Sequence, residues 1–218
     1  MNPTSKTLAL FGGTFDPVHF GHLRMALELK QSLGFDEMRL LPSHQPAHRA
    51  APGVTAGRRR DMLALALQDC PQLVLDAREL QRAGPTYTVD TLEELRSELG
   101  DEVSISFCMG MDSLLGLPGW HRWQRLLQLA HLVVVARPGW EVPTAGEVAE
   151  LLAAQGGSLA DIQRQPAGRI LLQELSLLPI SATDIRTQIK GGRSPQFLLP
   201  ERVLDYIQTH RLYQSTES

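Results

Sequence analysis

Short uninterrupted apolar runs recur along this 218-residue chain, and between them apolar residues return every third or fourth position. That alternation limits the fold more than any other feature. Thr7–Phe11 is the first run, stopped by Gly12 and Gly13. Met38–Leu41 is stopped by Pro42, Val103–Cys108 by Gly110, and His131–Ala136 by Pro138. Leu73–Leu75 is a shorter run, and Ile170–Leu175 is a candidate sixth. A continuous run suits a strand covered on both faces, as in a parallel sheet. The intervening stretches read as helices: Leu23, Ala26, Leu27 and Leu33; Met62–Leu67; Val89, Leu92, Leu95 and Leu99; Trp120, Trp123, Leu126 and Leu127; Val148, Leu151 and Leu152; and Val203, Leu204 and Ile207 after Pro200. Two segments read as long loops, Pro42–Gly57 and Gln155–Gly168. Strand–helix alternation over nearly the whole length argues for a doubly wound α/β fold with right-handed crossovers. Ligands then bind at the carboxyl ends of the strands, at the switch point between the first and fourth. The loops Gly12–His22 and Met109–Asp112 are expected to face one crevice.

Composition excludes several classes. A formal net charge of -3 lacks the broad basic footprint of a nucleic-acid binder. Of 21 basic side chains only Lys6, Lys30 and Lys190 are lysines. Arginine's planar fork suits phosphate, so this bias points towards anion binding. Cys70 and Cys108 are too few for a disulfide framework or a cysteine-based zinc site and read as buried free thiols. No apolar run approaches a membrane span, and Met1–Lys6 leads into too short an apolar stretch for a secretion signal. The expected compartment is the reducing cytoplasm.

Neither a GxxxxGK[ST] loop nor a GxGxxG fingerprint is present. After the first run stands Gly12-Gly13-Thr14-Phe15-Asp16-Pro17-Val18-His19-Phe20-Gly21-His22. The glycines let backbone amides approach a phosphate. Asp16-Pro17 reads as a helix entry, with Asp16 as cap. His19 and His22, three apart, fall on one helix face near its positive end, which suits an anionic transition state. Near the other end, Ile180-Ser181-Ala182-Thr183-Asp184-Ile185-Arg186 has capping-box spacing at Ser181 and Asp184. Thr183 and Arg186 add a hydroxyl and a guanidinium to that helix start, and a cap and an anion site are compatible there. Arg58-Arg59-Arg60 is a solvated helix start or an anion-steering patch. His44 and His48 have no third metal ligand in view, so no protein metal site is expected, and their loop is read as mobile.

His19-Phe20-Gly21-His22 and the 180–186 segment resemble the (H/T)xGH and ISSTxIR motifs of the nucleotidyltransferase superfamily. Within it, the chain is similar to the bacterial nicotinate-nucleotide adenylyltransferases over almost its full length. Further support comes from Gly84–Leu92, Pro42–Arg49, Gly110-Met111-Asp112 with Trp120 and Trp123, and Arg137-Pro138-Gly139. The sequence departs from the family pattern at Ala182, in place of a second Ser, at Arg49, in place of a common Lys, and at Pro85-Thr86.

The resemblance implies a single domain over residues 1–218: a Rossmann-like core to 178 and a short helical C-terminal part, 179–218, carrying the second motif. It implies adenylyl transfer from ATP to nicotinic acid mononucleotide, with magnesium accompanying ATP. His22, His19 and Arg186 would carry catalysis. Gly12, Gly13, Thr14, Phe15, Ser181, Thr183 and Arg137 would hold ATP and its phosphates. Thr86, Tyr87, Asp112 and Trp120 would receive the nicotinate nucleotide, with Trp123 left to the core. The positive charge at such a site would be local: two histidines, Arg186 and helix N-termini. The expected state is a monomer or small homo-oligomer, without nucleic-acid or membrane partners. Phosphopantetheine adenylyl transfer, a class I aminoacyl-tRNA synthetase and a non-catalytic nucleotide sensor are the competing readings.

Overall fold

A computed structural model describes residues 6–44, 53–82, 84–136, 139 and 141–214. Arg137 and residues 45–52, which include His48 and Arg49 and make up half of the Pro42–Gly57 segment, lie outside the described residues. Six strands form one parallel sheet: β1 (Thr7–Gly13), β2 (Glu37–Pro42), β3 (Leu73–Leu75), β4 (Ser104–Gly110), β5 (His131–Ala136) and β6 (Ile170–Glu174), in the order β3-β2-β1-β4-β5-β6. The winding reverses between β1 and β4, so the switch point lies at the expected pair.

The side chains show why the runs are continuous. On β1, Ala9 and Phe11 pack into one core while Leu8 and Leu10 pack into the other. On β5, Val133 and Val135 face the first core, and Leu132, Val134 and Ala136 the second. Successive strand residues point to opposite faces, so two buried faces demand apolar residues at every position. The first core is covered by α1 (Phe20–Leu33), α2 (Ala56–Leu67), α7 (Leu159–Arg164), α8 (Ala182–Lys190) and α9 (Glu201–Thr209). The second is covered by α3 (Thr88–Leu99), α4 (Met111–Leu115), α5 (Leu126–Leu129) and α6 (Glu147–Gln155).

Four local expectations are corrected. The 155–168 segment is not a long loop, because Ser158 and Asp161 form a full capping box that starts α7. Trp120 and Trp123 do not share a helix. Leu117–Gly119 and Trp123–Arg125 are separate 3-10 turns, parted at Arg122, whose φ is +48°. Asp16 does not cap α1, which starts three residues later than the Asp16-Pro17 entry implies, with His19 in the extended cap position. Cys70 is only half-buried, whereas Cys108 is buried as expected. Among the described residues, no helix is long and apolar enough to cross a membrane.

The arginine bias also has a structural explanation. Arg96 donates to the carbonyls of Leu129, Val103 and Pro166 at 2.8, 2.6 and 2.6 Å. Arg39 and Arg78 both pair with the buried Asp76. The planar fork is used here to tie loops and strands together, without any ligand.

Candidate active site

At the carboxyl ends of β1 and β4 lies a crevice of about 840 Å³, in the range of small-molecule sites. Gly12–Asp16, from the turn after β1, forms one wall, and Met109, Gly110 and Asp112 form part of another. The two loops thus share one crevice, as the switch-point rule requires. His22, Thr183 and Arg186 line it together with Thr86, Tyr87, Asp112 and Trp120.

The first wall is built from tight packing. A Cβ on Gly13 would come within 2.9 Å of the Phe15 ring, so only glycine fits below it. Phe15 is 1% exposed and has φ +49°, a left-handed conformation that a bulky side chain rarely adopts. Its ring stands edge-on to Phe11 and to His22, with centroids 5.8 and 5.0 Å away. His19 and His22 stack at 3.7 Å with 26° between their planes. A Cβ on Gly21 would lie 3.0 Å from the His19 ring, so the glycine between the histidines makes room for the stack.

The two histidines are not equivalent. His22 is half-buried and lines the crevice. His19 is buried behind it, does not line the crevice, and burial pulls its pKa down to about 4. It is therefore uncharged near neutral pH, and the local charge expected from two histidines is reduced accordingly. Cys108 also borders the crevice, but burial pushes its thiol up to about 12, so it is no nucleophile at neutral pH.

The start of α8 forms the other side of this end. Ser181 caps it, its hydroxyl accepting from the Asp184 amide at 3.1 Å and donating to the Asp184 carboxylate at 2.7 Å. Ser181 does not line the crevice, whereas Ala182, Thr183 and Arg186 do. Arg186 donates to the Asp16 carbonyl at 2.6 Å and to the Thr183 hydroxyl at 3.4 Å. The buried Asp16 carboxylate accepts from the Gly53 amide at 2.8 Å and from the Tyr213 hydroxyl at 2.6 Å. Asp16 thus joins the β1 turn to the segment before α2, to α8 and to the C-terminal residues. Burial and the Asp16 charge together push the Tyr213 hydroxyl far up, so it stays a donor.

The opposite end is more open. Trp120 is half-buried, its ring edge-on to Phe107 at 6.2 Å. Trp123 packs against the second core and does not line the crevice. Tyr87 caps α3 and lies against His121 at 4.5 Å, and Asp112 is exposed in the first turn of α4. Thr86 is buried beside Glu79, a crevice-lining carboxyl that burial pushes up and that the Thr91 and Thr86 hydroxyls and Arg82 partly offset.

Sequence reasoning missed Glu79, His121, Phe107 and the true role of Asp16. Glu79 carries no local motif. His121 adjoins a tryptophan that was identified, and Asp16 has a helix-cap alternative that fits its spacing. Among the described residues, no group of three or more His, Cys, Asp or Glu could hold a metal ion.

A parallel α/β sheet with a glycine turn, paired histidines and a helix N-terminus at its switch point defines a nucleotide-handling class. Comparisons with known proteins narrow it. A family model described as cytidylyltransferase-like matches residues 10–188. A protein of Cellvibrio japonicus named "Probable nicotinate-nucleotide adenylyltransferase" is 57% identical over 95% of this chain and 99% of its own length. A protein of the same name from Aeromonas hydrophila is 50% identical over 95% of this chain and 97% of its own. The chain belongs to the cytidylyltransferase-like family and, within it, to the nicotinate-nucleotide adenylyltransferases. The structure of Plasmodium falciparum nicotinic acid mononucleotide adenylyltransferase complexed with NaAD shares the fold, with a TM-score of 0.71 at 16% identity, covering 95% of this chain and 97% of that one.

Proposed function

We propose that this protein transfers the adenylyl group of ATP to nicotinic acid mononucleotide, giving nicotinic acid adenine dinucleotide and pyrophosphate in NAD biosynthesis. The observation that carries the reading is one crevice with a phosphate-suited end at Gly12–Phe15, His22 and Arg186 and a ring-suited end at Tyr87 and Trp120. Relatives at 50% identity and above carry the matching name.

The mononucleotide's phosphate oxygen attacks the α-phosphorus of ATP. A new P–O bond forms, the bond to the β-phosphate oxygen breaks, and pyrophosphate leaves with the electron pair. A phosphate monoester has a second pKa of about 6, so the nucleophile is largely ionised at neutral pH and no general base is required. Positioning and charge stabilisation are what remain for the protein to supply. His22 donates to the α-phosphate oxygens as negative charge grows. His19 stacks behind it and holds its ring beside the phosphates. Backbone amides of Gly12–Phe15 hold the nucleotide phosphates, and Thr183 and Arg186 steady the departing pyrophosphate, with Ser181 acting through its cap on α8. Arg137 is assigned to ATP on the family resemblance alone.

At the other end Trp120 stacks on the pyridine ring, Asp112 binds a ribose, and the Thr86 and Tyr87 amides at the start of α3 receive the pyridine carboxylate. Magnesium accompanying ATP would lower the charge of the phosphates. The crevice carboxylates Asp16, Glu79 and Asp112 come from three separate elements, so an ion held mainly by phosphate oxygens and water suits this site better than a protein cage. The two free thiols agree with a cytoplasmic setting, and the protein works as a monomer or small homo-oligomer.

The test is pyrophosphate release from ATP and magnesium with nicotinic acid mononucleotide, nicotinamide mononucleotide or phosphopantetheine as acceptor. Rapid release with the first is expected. Release only with phosphopantetheine contradicts the reading, and release with none of them favours a nucleotide sensor.

A further inference from the structure

Arg59 lies in the first turn of α2, a helix that contributes no residue to the crevice. Its side chain is 0% exposed. A buried charge is tolerated only where hydrogen bonds replace its water. Here the partners are carbonyls: Nη1 donates to Thr14 and to Ser43, both at 2.7 Å, and Nη2 donates to His44 at 2.8 Å. One guanidinium therefore ties the turn after β1 to the turn after β2. The Arg58-Arg59-Arg60 run, read from sequence as solvated or steering, hides a fully buried member.

The geometry of the tie bears on ATP. In a trans peptide the carbonyl and the following N–H point in opposite directions. Asp16-Pro17 is the one cis bond among the described residues, so the Thr14–Phe15 peptide is trans. With the Thr14 carbonyl held on Arg59, the Phe15 N–H faces away from Arg59. Thr14 and Phe15 both line the crevice, and Phe15 holds a φ of +49° that the free chain would leave. We propose that Arg59 is a positioning residue for ATP: its fork fixes the Thr14–Phe15 peptide in the orientation that presents the Phe15 amide to the phosphates. This inference rests on the reading of Gly12–Phe15 as the phosphate seat. Lysine would keep the charge and lose the fork.

The experiment compares wild type with Arg59→Lys, measuring calorimetric affinity for magnesium–ATP and for nicotinic acid mononucleotide, kcat, each KM and thermal stability. The expected result is an ATP affinity and kcat/KM for ATP lowered by about tenfold to a hundredfold, with mononucleotide affinity unchanged. A folded Arg59→Lys protein that binds ATP as wild type does would overturn the inference. Equal weakening of both ligands would also overturn it, because that is the signature of general structural damage. Where Arg59→Lys does not fold, wild-type amide resonances decide. A Phe15 N–H that shifts on adding magnesium–ATP, while the Arg59 guanidinium protons stay slow to exchange, supports the role, and an unshifted Phe15 amide defeats it. A wild-type protein that binds no ATP removes the phosphate-seat reading itself, an outcome distinct from unaltered binding in the variant.

Discussion

The two ends of the crevice are built differently. At the phosphate end almost every group is held by a second one: His22 by the buried His19 ring, Arg186 by the Asp16 carbonyl, Asp16 by Gly53 and Tyr213, and the Thr14 carbonyl by Arg59. At the ring end Thr86 and Glu79 are buried, but Asp112 and His121 are exposed, and Tyr87 and Trp120 are half-buried. A transition state that needs no proton abstraction gains mainly from donors already in place, and such placement requires burial and cross-bracing. Recognition of a flat ring needs apolar surface and a few donors, which an open wall can supply. The comparison predicts that damage at the braced end lowers turnover, while damage at the open end raises KM for the mononucleotide.

The largest expected effect is at His22. His22→Ala should lower kcat by about 10²–10³, the range for losing one transition-state donor, while the melting temperature stays near wild type. Steady-state kinetics with near-normal kcat would remove His22 from its role and break the contrast between the ends.

His19 should show itself in stability as a function of pH. Its folded pKa is about 4, below the ordinary value near 6.5 of an unfolded chain. The unfolded state therefore binds more protons between those values. The stability from burying the neutral ring is complete above about pH 6.5 and is lost as pH falls towards 4, up to about 3 kcal/mol in all. Urea unfolding across this window should show a steeper loss for wild type than for His19→Asn. Parallel curves would mean that the imidazole is hydrated and ionises freely.

Trp120→Ala addresses the open end. It should raise KM for nicotinic acid mononucleotide about tenfold, leaving kcat and KM for ATP nearly unchanged. A fall in kcat instead would erase the division of labour. The smallest kinetic effect is expected from Tyr213→Phe, which removes one donor from Asp16 and leaves the Gly53 amide in place. A loss of about 2 kcal/mol in denaturant stability is expected, the range for a hydrogen bond to a charged group, with mononucleotide KM unchanged.

The same division explains what the sequence made legible. All six strands stand where the apolar runs predict them. The inner four, β1, β2, β4 and β5, are largely buried on both faces and leave a purely local mark, whereas the edge strands β3 and β6, each with one face partly exposed, leave the shorter or less continuous runs. His22 and the cap at Ser181 were readable for a related reason: each belongs to a helix start, where function and local geometry share a short segment. Arg59 was not. Its neighbours Arg58 and Arg60 are not buried, and only tertiary contacts with Thr14, Ser43 and His44 distinguish it. Asp16 was misread for the converse reason, since Asp-Pro before a helical pattern satisfies the capping rule while its real partners, Gly53 and Tyr213, lie 37 and 197 positions away. Glu79 belongs with these, a buried carboxyl placed at the crevice by a 3-10 turn with no motif of its own.

Attack onto the α-phosphorus of ATP is the step that the braced end is proposed to direct. It is tested most directly by incubating the protein with magnesium, nicotinic acid mononucleotide and ATP labelled at the α-phosphate. The label is expected to pass into the dinucleotide, with one unlabelled pyrophosphate released for each dinucleotide formed. Label recovered as AMP without dinucleotide, or pyrophosphate released without the mononucleotide, would contradict it.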